Sequence, residues 1–266
     1  MTSIRISVAE LQRLAKRLSE RDWGILRFLH QHRYATTDQL RRVFFVDHAN
    51  PAAATRACVR VLDRLLGLRI VTRLERRVGG VRHGSAGFIW CLDVIGDRLT
   101  RAQGGSRKRL LEPSFPFLTH TLAVTETHVE LLEATRAGSF LLNGVQVETE
   151  AWRDYVAPGG VRSMLKPDLM VMVSSDAYDD HWYIEVDLGT ESQPALLRKC
   201  RAYEDYRRTG RAQAEHGVFP RVLWVLTTPE RAAKLTAAIA AEPTLPDRLF
   251  VGITPEVLVA TLRDPP

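Results

Sequence analysis

The chain has 266 residues, 45% of them hydrophobic, and a formal net charge of +6. A chain of this length can bury two modest hydrophobic cores. No segment approaches the ~20 uninterrupted apolar residues of a membrane-spanning helix, and residues 1–18 do not have the pattern of a secretion signal. The three cysteines, Cys58, Cys91 and Cys200, follow no disulfide or zinc spacing. We therefore expect a cytoplasmic protein that does not enter a membrane.

The two halves of the sequence carry opposite charges. Residues 1–112 contain 22 Lys and Arg against 10 Asp and Glu, a balance of +12, and the remainder has a balance of −6. This division predicts a part that binds a polyanion, joined to an acidic part that could bind metal. Nucleotide bias in the genome would explain the excess of Arg over Lys, but not the segregation of charge.

The basic half begins with three predicted helices. Apolar residues recur at helical spacing over 19–32, where Ser19 can cap the helix and Asp22 follows three residues later. Thr36 to Asp38 offer a cap for a short second helix, and Asn50-Pro51 begin a third.

The third helix has an apolar side and a basic side. At 100° per residue, the basic side carries Arg56, Arg60 and Arg64. The opposite side carries Ala54, Cys58, Val61, Leu62 and Leu65. This pattern predicts a helix that reads the major groove of double-stranded DNA.

Two strands, 70–77 and 88–92, are predicted to follow with a glycine-rich turn between them, and then a short helix from Asp93. The hairpin would present basic side chains for phosphate or minor-groove contacts. These are Arg73, Arg76, Arg77, Arg82 and His83. Three helices and a basic hairpin predict a winged helix-turn-helix domain over 1–105. The alternative is a small helical domain whose charged face binds protein.

Residues 104–116 lack an apolar period and are rich in Gly, Pro and charge, which predicts a linker, taken as 106–117, before a second domain at 118–266. In that domain we predict helices at 118–137, 192–208 and 229–241. Strands are predicted at 145–152, 169–173, 182–186, 222–226 and 249–253. The order α-β-β-β-α-β-α-β predicts a two-domain α/β protein with a C-terminal mixed sheet.

Carboxylates lie at the ends of two predicted strands. Asp168 opens one strand, and Glu185 and Asp187 share a face at the end of the next. Together they would offer oxygen ligands for Mg²⁺ or Mn²⁺ and could support phosphodiester hydrolysis. Lys199 lies on the inward face of the following helix, where a lysine needs an anionic partner. Glu191 begins that helix and needs no role beyond the helix dipole.

These segments resemble the PD-(D/E)XK nuclease superfamily in "PD" at 167–168, "EVD" at 185–187 and the helix order. The resemblance implies a restriction-endonuclease-like sheet with Asp168 and Glu185 as metal ligands. Asp187 stands where that motif has its lysine, so either Lys199 supplies the cation or catalysis is lost. More narrowly, LTHTLAV at 118–124, KPDLMVMV, YIEVDLGTES and KCRAYEDY are similar to the replication-relaxation family of actinobacterial plasmids and integrative elements.

Three functions follow from these observations. The first is a Mg²⁺-dependent DNA nuclease or nickase with Asp168, Glu185, Asp187 and Lys199 in its catalytic site. The second is a non-enzymatic DNA-binding regulator or relaxosome accessory protein, whose nuclease-like domain serves homodimerisation or partner docking. The third, a binding module for a protein partner, leaves the grouping of the carboxylates unexplained.

Overall fold

The structure, a computed structural model, describes residues 6–74, 87–106, 113–175, 179–246 and 248–265. Packing divides the chain into an N-terminal unit, Met1–Val129, and a C-terminal unit, Glu130–Pro266. The division lies inside the helix Phe115–Arg136. That helix begins within the segment 106–117 predicted as a linker, of which 107–112 lie outside the described residues.

The N-terminal unit contains five helices before the long one. They are α1 Val8–Ala15, α2 Glu20–His32, α3 Thr37–Phe44, α4 Pro51–Gly67 and α5 Val94–Ala102. Ser19 and Thr36 form capping boxes at α2 and α3, and Asn50 caps α4 in front of Pro51. These caps confirm the three predicted helix starts, because each satisfies backbone N–H groups that the first turn leaves unpaired. Helix α1 was not predicted.

A small antiparallel sheet joins these helices. Its strands are β1 Ala35–Thr36, β2 Val71–Leu74 and β3 Ile89–Leu92, in the order β1-β3-β2. The predicted hairpin strands are confirmed over these shorter ranges, whereas β1 has too few residues to show a pattern in the sequence. Arg76, Arg77, Arg82 and His83 of the predicted wing lie outside the described residues.

The core of the N-terminal unit packs α4 against α2 and α3. Ala54, Cys58, Leu62 and Leu65 of α4 are buried as predicted, but Ala57 is buried in place of the half-exposed Val61. Ala57 lies one turn before Val61 on the same side of the helix, and its small side chain allows another helix to approach closely.

Helix α6, Phe115–Arg136, is tied to the N-terminal unit by polar contacts. Buried Gln39 of α3 donates to the carbonyl oxygen of Leu122 at 3.0 Å. Thr125 donates to the carbonyl oxygen of Tyr34 at 3.1 Å. The first part of α6 therefore packs with the basic half of the chain, although the sequence assigned it to the second domain.

The C-terminal unit contains a five-stranded mixed sheet. Its strands are β4 Leu141–Val147, β7 Leu169–Ser174, β8 Asp179–Asp187, β9 Arg221–Leu226 and β10 Phe250–Ile253. The order is β10-β9-β8-β7-β4, antiparallel from β4 to β8 and parallel from β8 to β10. Strand β8 therefore lies at the centre, between the antiparallel and the parallel halves.

One prediction for this unit needs correction. The strand predicted at 145–152 ends at Val147, where Glu148 turns the chain with φ 48° into a short 3-10 turn. A separate hairpin, β5 Arg153–Val156 and β6 Arg162–Leu165, then precedes β7. The early end of the predicted strand follows from this turn, because a left-handed residue interrupts the extended backbone.

Helices cover the connections between the parallel strands. The predicted helices are confirmed as α7 Gln193–Arg208 and α9 Pro229–Ala240, and the unpredicted helices are α8 Arg211–His216 and α10 Leu258–Arg263. Leu196, Cys200 and Tyr203 of α7 are buried against Tyr183 and Trp224 of the sheet. Among the described residues, no helix combines the length and the apolar character needed to cross a bilayer.

Gly96 of α5 gives a test of the N-terminal packing. A Cβ atom at this position would lie 2.1 Å from the backbone oxygen of Ile70, the residue directly before β2, which cannot move without displacing that strand. We expect Gly96→Ala to lower the free energy of unfolding by about 1–3 kcal/mol, measured by urea denaturation. Gly67→Ala is the control, because a Cβ there meets nothing within 4 Å. Equal stability of Gly96→Ala and the wild type would contradict this packing.

Candidate functional site

The candidate site forms around the carboxylate of Glu185, near the end of β8. The residue is only 2% exposed. One carboxylate oxygen, Oε1, accepts a hydrogen bond of 2.6 Å from the Tyr203 hydroxyl, and Oε2 lies 3.3 Å from the Nζ atom of Lys199. Both partners come from α7, which crosses from β8 to β9 over this face of the sheet.

Lys199 lies between two carboxylates. Its Nζ atom is 2.8 Å from Oε1 of Glu191 as well as 3.3 Å from Glu185. Burial disfavours the charged amine, but Glu185, Glu191 and Asp168 outweigh this effect and raise the pKa of Lys199. Its side chain remains 40% exposed. The lysine is thus a fixed positive charge that solvent, or a bound anion, can reach.

Asp168 precedes β7 and faces the end of β8. The antiparallel register pairs Leu169 with Ile184, and Oδ2 of Asp168 accepts a 2.8 Å hydrogen bond from the backbone N–H of Val186. Burial, and then the negative charge of Asp168, raise the pKa of Glu185 to about 7. The two carboxylates are therefore close enough to repel each other, as predicted from their positions at the strand ends.

Asp187 has a different environment from the one predicted. Its Oδ2 atom accepts a hydrogen bond from Nε of Arg231 in the first turn of α9, and the same guanidinium donates to the carbonyl oxygen of Glu191 at 2.6 Å. The structure therefore pairs Asp187 with Arg231 and does not join it to Asp168 and Glu185 as a third ligand. Alternation along β8 correctly puts Asp187 and Glu185 on one face, but α9 provides the nearer partner.

The oxygen atoms of Asp168 and Glu185 are of the kind that Mg²⁺ or Mn²⁺ prefers, and a divalent charge between them would offset both the burial and the negative charge that raise the pKa of Glu185. Among the described residues, no group of three His, Cys, Asp or Glu side chains could hold a metal ion. Such an ion would therefore complete its coordination with water or phosphate oxygens.

The predicted DNA-contacting arginines differ in their availability. Arg56 and Arg60 are exposed on α4, one turn apart. Arg64, predicted on the same face, forms an ion pair with Asp22, a residue of α2 that is 1% exposed. The guanidinium of Arg73 lies over the rings of Phe88 and Trp90, 4.4 and 5.8 Å from their centroids. Because the buried carboxylate of Asp22 needs a compensating cation, its ion pair with Arg64 stabilises the packing of α2 and α4.

Three residues of the carboxylate site were not predicted from the sequence. Tyr203 and Arg231 were not assigned roles there, and Glu191 was assigned only to the helix dipole. The i, i+4 spacing of Lys199 and Tyr203 on the inward face of α7 was a signal that both could reach one acceptor. No comparable signal pointed to Arg231, which is 44 residues from Asp187 in the chain.

The raised pKa of Glu185 is testable directly. We expect its carboxyl group to titrate at about 7, and Lys199→Met to raise this value by about 1 or more because a neighbouring positive charge is lost. A pH titration followed by ¹³C NMR of labelled glutamate would measure both, with exposed Lys234→Met as the control. In the wild type, ionisation of Glu185 lowers stability as pH rises from 4.5 to about 7, because the folded state holds the proton more tightly. Titration near 4.5 would contradict the site.

Comparison with known proteins finds one family match. A family model described as replication-relaxation matches residues 26–222, which extend from α2 to β9. The match includes α4 with its arginines and the residues around Glu185. No curated protein and no solved structure matches the chain. Because the match covers most of its length, the chain belongs to the replication-relaxation family.

Proposed function

We propose that this protein binds double-stranded DNA through a winged-helix N-terminal unit and cleaves or nicks it with a PD-(D/E)XK-like C-terminal unit. Membership of the replication-relaxation family suggests a role in plasmid or mobile-element replication or relaxation, and an interaction with DNA. The observation that supports cleavage is the contact of Lys199 with Glu185. The superfamily motif has a lysine where this chain has Asp187, and Lys199 brings a cation to the same site.

The N-terminal unit supports the DNA-binding part. Its element order, α2-β1-α3-α4-β2-β3, is that expected of a winged helix. Helix α4 buries its apolar side in the unit and exposes Arg56 and Arg60. Two exposed guanidinium groups one turn apart suit phosphate oxygens or the guanine edge in the major groove.

The C-terminal unit supports the nuclease part by its topology. Strands β4, β7 and β8 form an antiparallel series, α7 follows, and β9 lies parallel to β8. Asp168 and Glu185, at the ends of neighbouring strands, would correspond to the acidic ligands of the superfamily. The lysine that follows them is on α7 in this chain.

These residues have separate roles in the proposed reaction. Asp168 and Glu185 would hold Mg²⁺ or Mn²⁺, which would supply an activated water and stabilise negative charge on the phosphate. Lys199 holds a proton that can be shared with a phosphate oxygen, since its amine remains partly exposed. Tyr203 holds one oxygen of Glu185 by a hydrogen bond. Arg231 neutralises Asp187, which would otherwise be a further unpaired negative charge at the site.

A non-enzymatic role is the second candidate, and the Asp187 contact favours it. Three of the four acidic side chains near Lys199 and Arg231, those of Glu185, Glu191 and Asp187, are paired with these two residues, so protein cations already serve most of the acidic groups. In that case the C-terminal unit would serve homodimerisation or docking of a replication or relaxation partner, and DNA binding by α4 would be the activity that remains.

DNA binding can be tested through α4. We expect Arg56→Ala with Arg60→Ala to weaken binding to duplex DNA at least about 10-fold, and to reduce the slope of log K against log salt by about 2, since each phosphate contact contributes ~0.9. Fluorescence anisotropy at several salt concentrations measures both quantities. Arg27→Ala with Arg263→Ala, two other exposed arginines, removes the same charge. An equal loss in that control would mean that net charge, not α4, governs binding.

Cleavage can be tested with supercoiled plasmid in Mg²⁺ or Mn²⁺. We expect nicking by the wild type, and a loss of about 100-fold or more in Asp168→Ala with Glu185→Ala, because the proposed metal ligands are removed. The control is Asp47→Ala with Glu230→Ala, two acidic residues outside the site. Nicking that survives the first double variant would refute the assigned site, and the absence of nicking in the wild type would favour the accessory role.

A further inference from the structure

A second cluster of metal-ligating side chains lies away from the carboxylate site. His181 is near the start of β8 and His216 is the last residue of α8. Their ring centroids are 4.8 Å apart, with an angle of 35° between the ring planes. His181 precedes Glu185 by four residues, or about 13 Å of extended strand. Neither histidine takes part in the proposed cleavage reaction.

The ring nitrogens of this pair distinguish it from the other close histidine pair. His32 and His128 also have ring centroids 4.8 Å apart, but Nε2 of one and Nδ1 of the other share a hydrogen bond of 2.6 Å. By contrast, Nδ1 of His181 and Nε2 of His216 are buried and have no hydrogen-bond partner in the described part of the chain. A buried polar atom without a partner costs about 1–3 kcal/mol, so each nitrogen is suited to a ligand.

We propose that His181 and His216 form a two-histidine site for a divalent transition-metal ion such as Zn²⁺. Two imidazoles bound to one tetrahedral ion, with Zn–N bonds of about 2.0–2.1 Å, have ring centres about 5 Å apart. The observed centroid separation of 4.8 Å is close to this value. Water molecules would supply the remaining ligands of the ion.

The local electrostatics favour a metal over a proton at this site. Burial, and then the proximity of His216, lower the pKa of His181, which favours the neutral imidazole that can donate a lone pair to a metal. Asp179 and Asp180 oppose this shift with negative charge that also attracts a cation. Glu215 is 3.6 Å from Nε2 of His216 and contributes in the same way.

The two candidate sites differ in the metal that they select. Imidazole nitrogens prefer Zn²⁺, Ni²⁺ or Cu²⁺, whereas the carboxylates of Asp168 and Glu185 prefer Mg²⁺ or Mn²⁺. A metal held by His181 and His216 cross-links the start of β8 to α8. Helix α8 follows directly after α7, the helix that carries Lys199. The bound ion therefore stabilises the segment between α7 and β9.

Metal titration of the full chain tests the proposal. After removal of adventitious metal with EDTA, isothermal titration with Zn²⁺ at pH 7.5 is expected to show one high-affinity equivalent. His181→Asn and His216→Asn should each weaken it at least about 10-fold. His48→Asn, at a histidine in the N-terminal unit, and Glu185→Gln, in the carboxylate site, should leave it unchanged. Circular dichroism checks that the variants fold. If His181→Asn does not fold, the Zn²⁺ affinity of His216→Asn by itself tests the proposal.

Copper provides a second measurement that counts the ligands. The electron paramagnetic resonance spectrum of bound Cu²⁺ is expected to show splitting from two imidazole nitrogens in the wild type and from one in each variant. Absence of Zn²⁺ binding in the wild type, or unchanged affinity in both histidine variants, would overturn the proposal. If Glu185→Gln lost Zn²⁺ binding while both histidine variants kept it, the ion would be bound at the carboxylates, and the two-histidine site would be rejected.

Discussion

The burial of the Glu185 carboxylate is the constraint on which the C-terminal unit depends. A carboxylate removed from water is costly unless charge and hydrogen bonds compensate it, and here Lys199 and Tyr203 of α7 provide both. The contact therefore ties α7 to the central strand of the sheet. The contact also gives Lys199, whose side chain is 40% exposed, an anionic partner that offsets its partial burial.

Two helices divide the task of neutralising the acidic end of β8. Lys199 of α7 serves Glu185 and Glu191, while Arg231 of α9 serves Asp187 and the backbone of Glu191. Each of these helices connects two parallel strands of the sheet. Both pack on the face toward which Glu185 and Asp187 point, because alternate residues of a strand share a face. Burial, and then the negative charge of Asp168, still raise the pKa of Glu185, so the contacts with Lys199 and Tyr203 do not fully offset these two effects.

In the N-terminal unit, packing decides which basic residues remain for a ligand. Arg64 is used to neutralise a buried aspartate, and Arg73 covers aromatic rings, whereas Arg56 and Arg60 extend from α4 into solvent. The basic balance of the first half of the chain therefore overstates the charge that is free to meet DNA. The helical period could place all three α4 arginines on one side, but it could not tell which of them had a partner on another helix.

The sequence by itself determined the elements that depend on local chemistry. Caps at Ser19, Thr36 and Asn50, the apolar side of α4, and the succession of strands and helices around Asp168 and Glu185 follow from residues close together in the chain. Even the approach of Lys199 to Glu185 was indicated, because one face of α7 had to cover the sheet. Only the tertiary structure decided that Arg64 binds Asp22 and that Arg231 binds Asp187. Those partners are 42 and 44 residues apart, and periodicity carries no information about which distant helices meet.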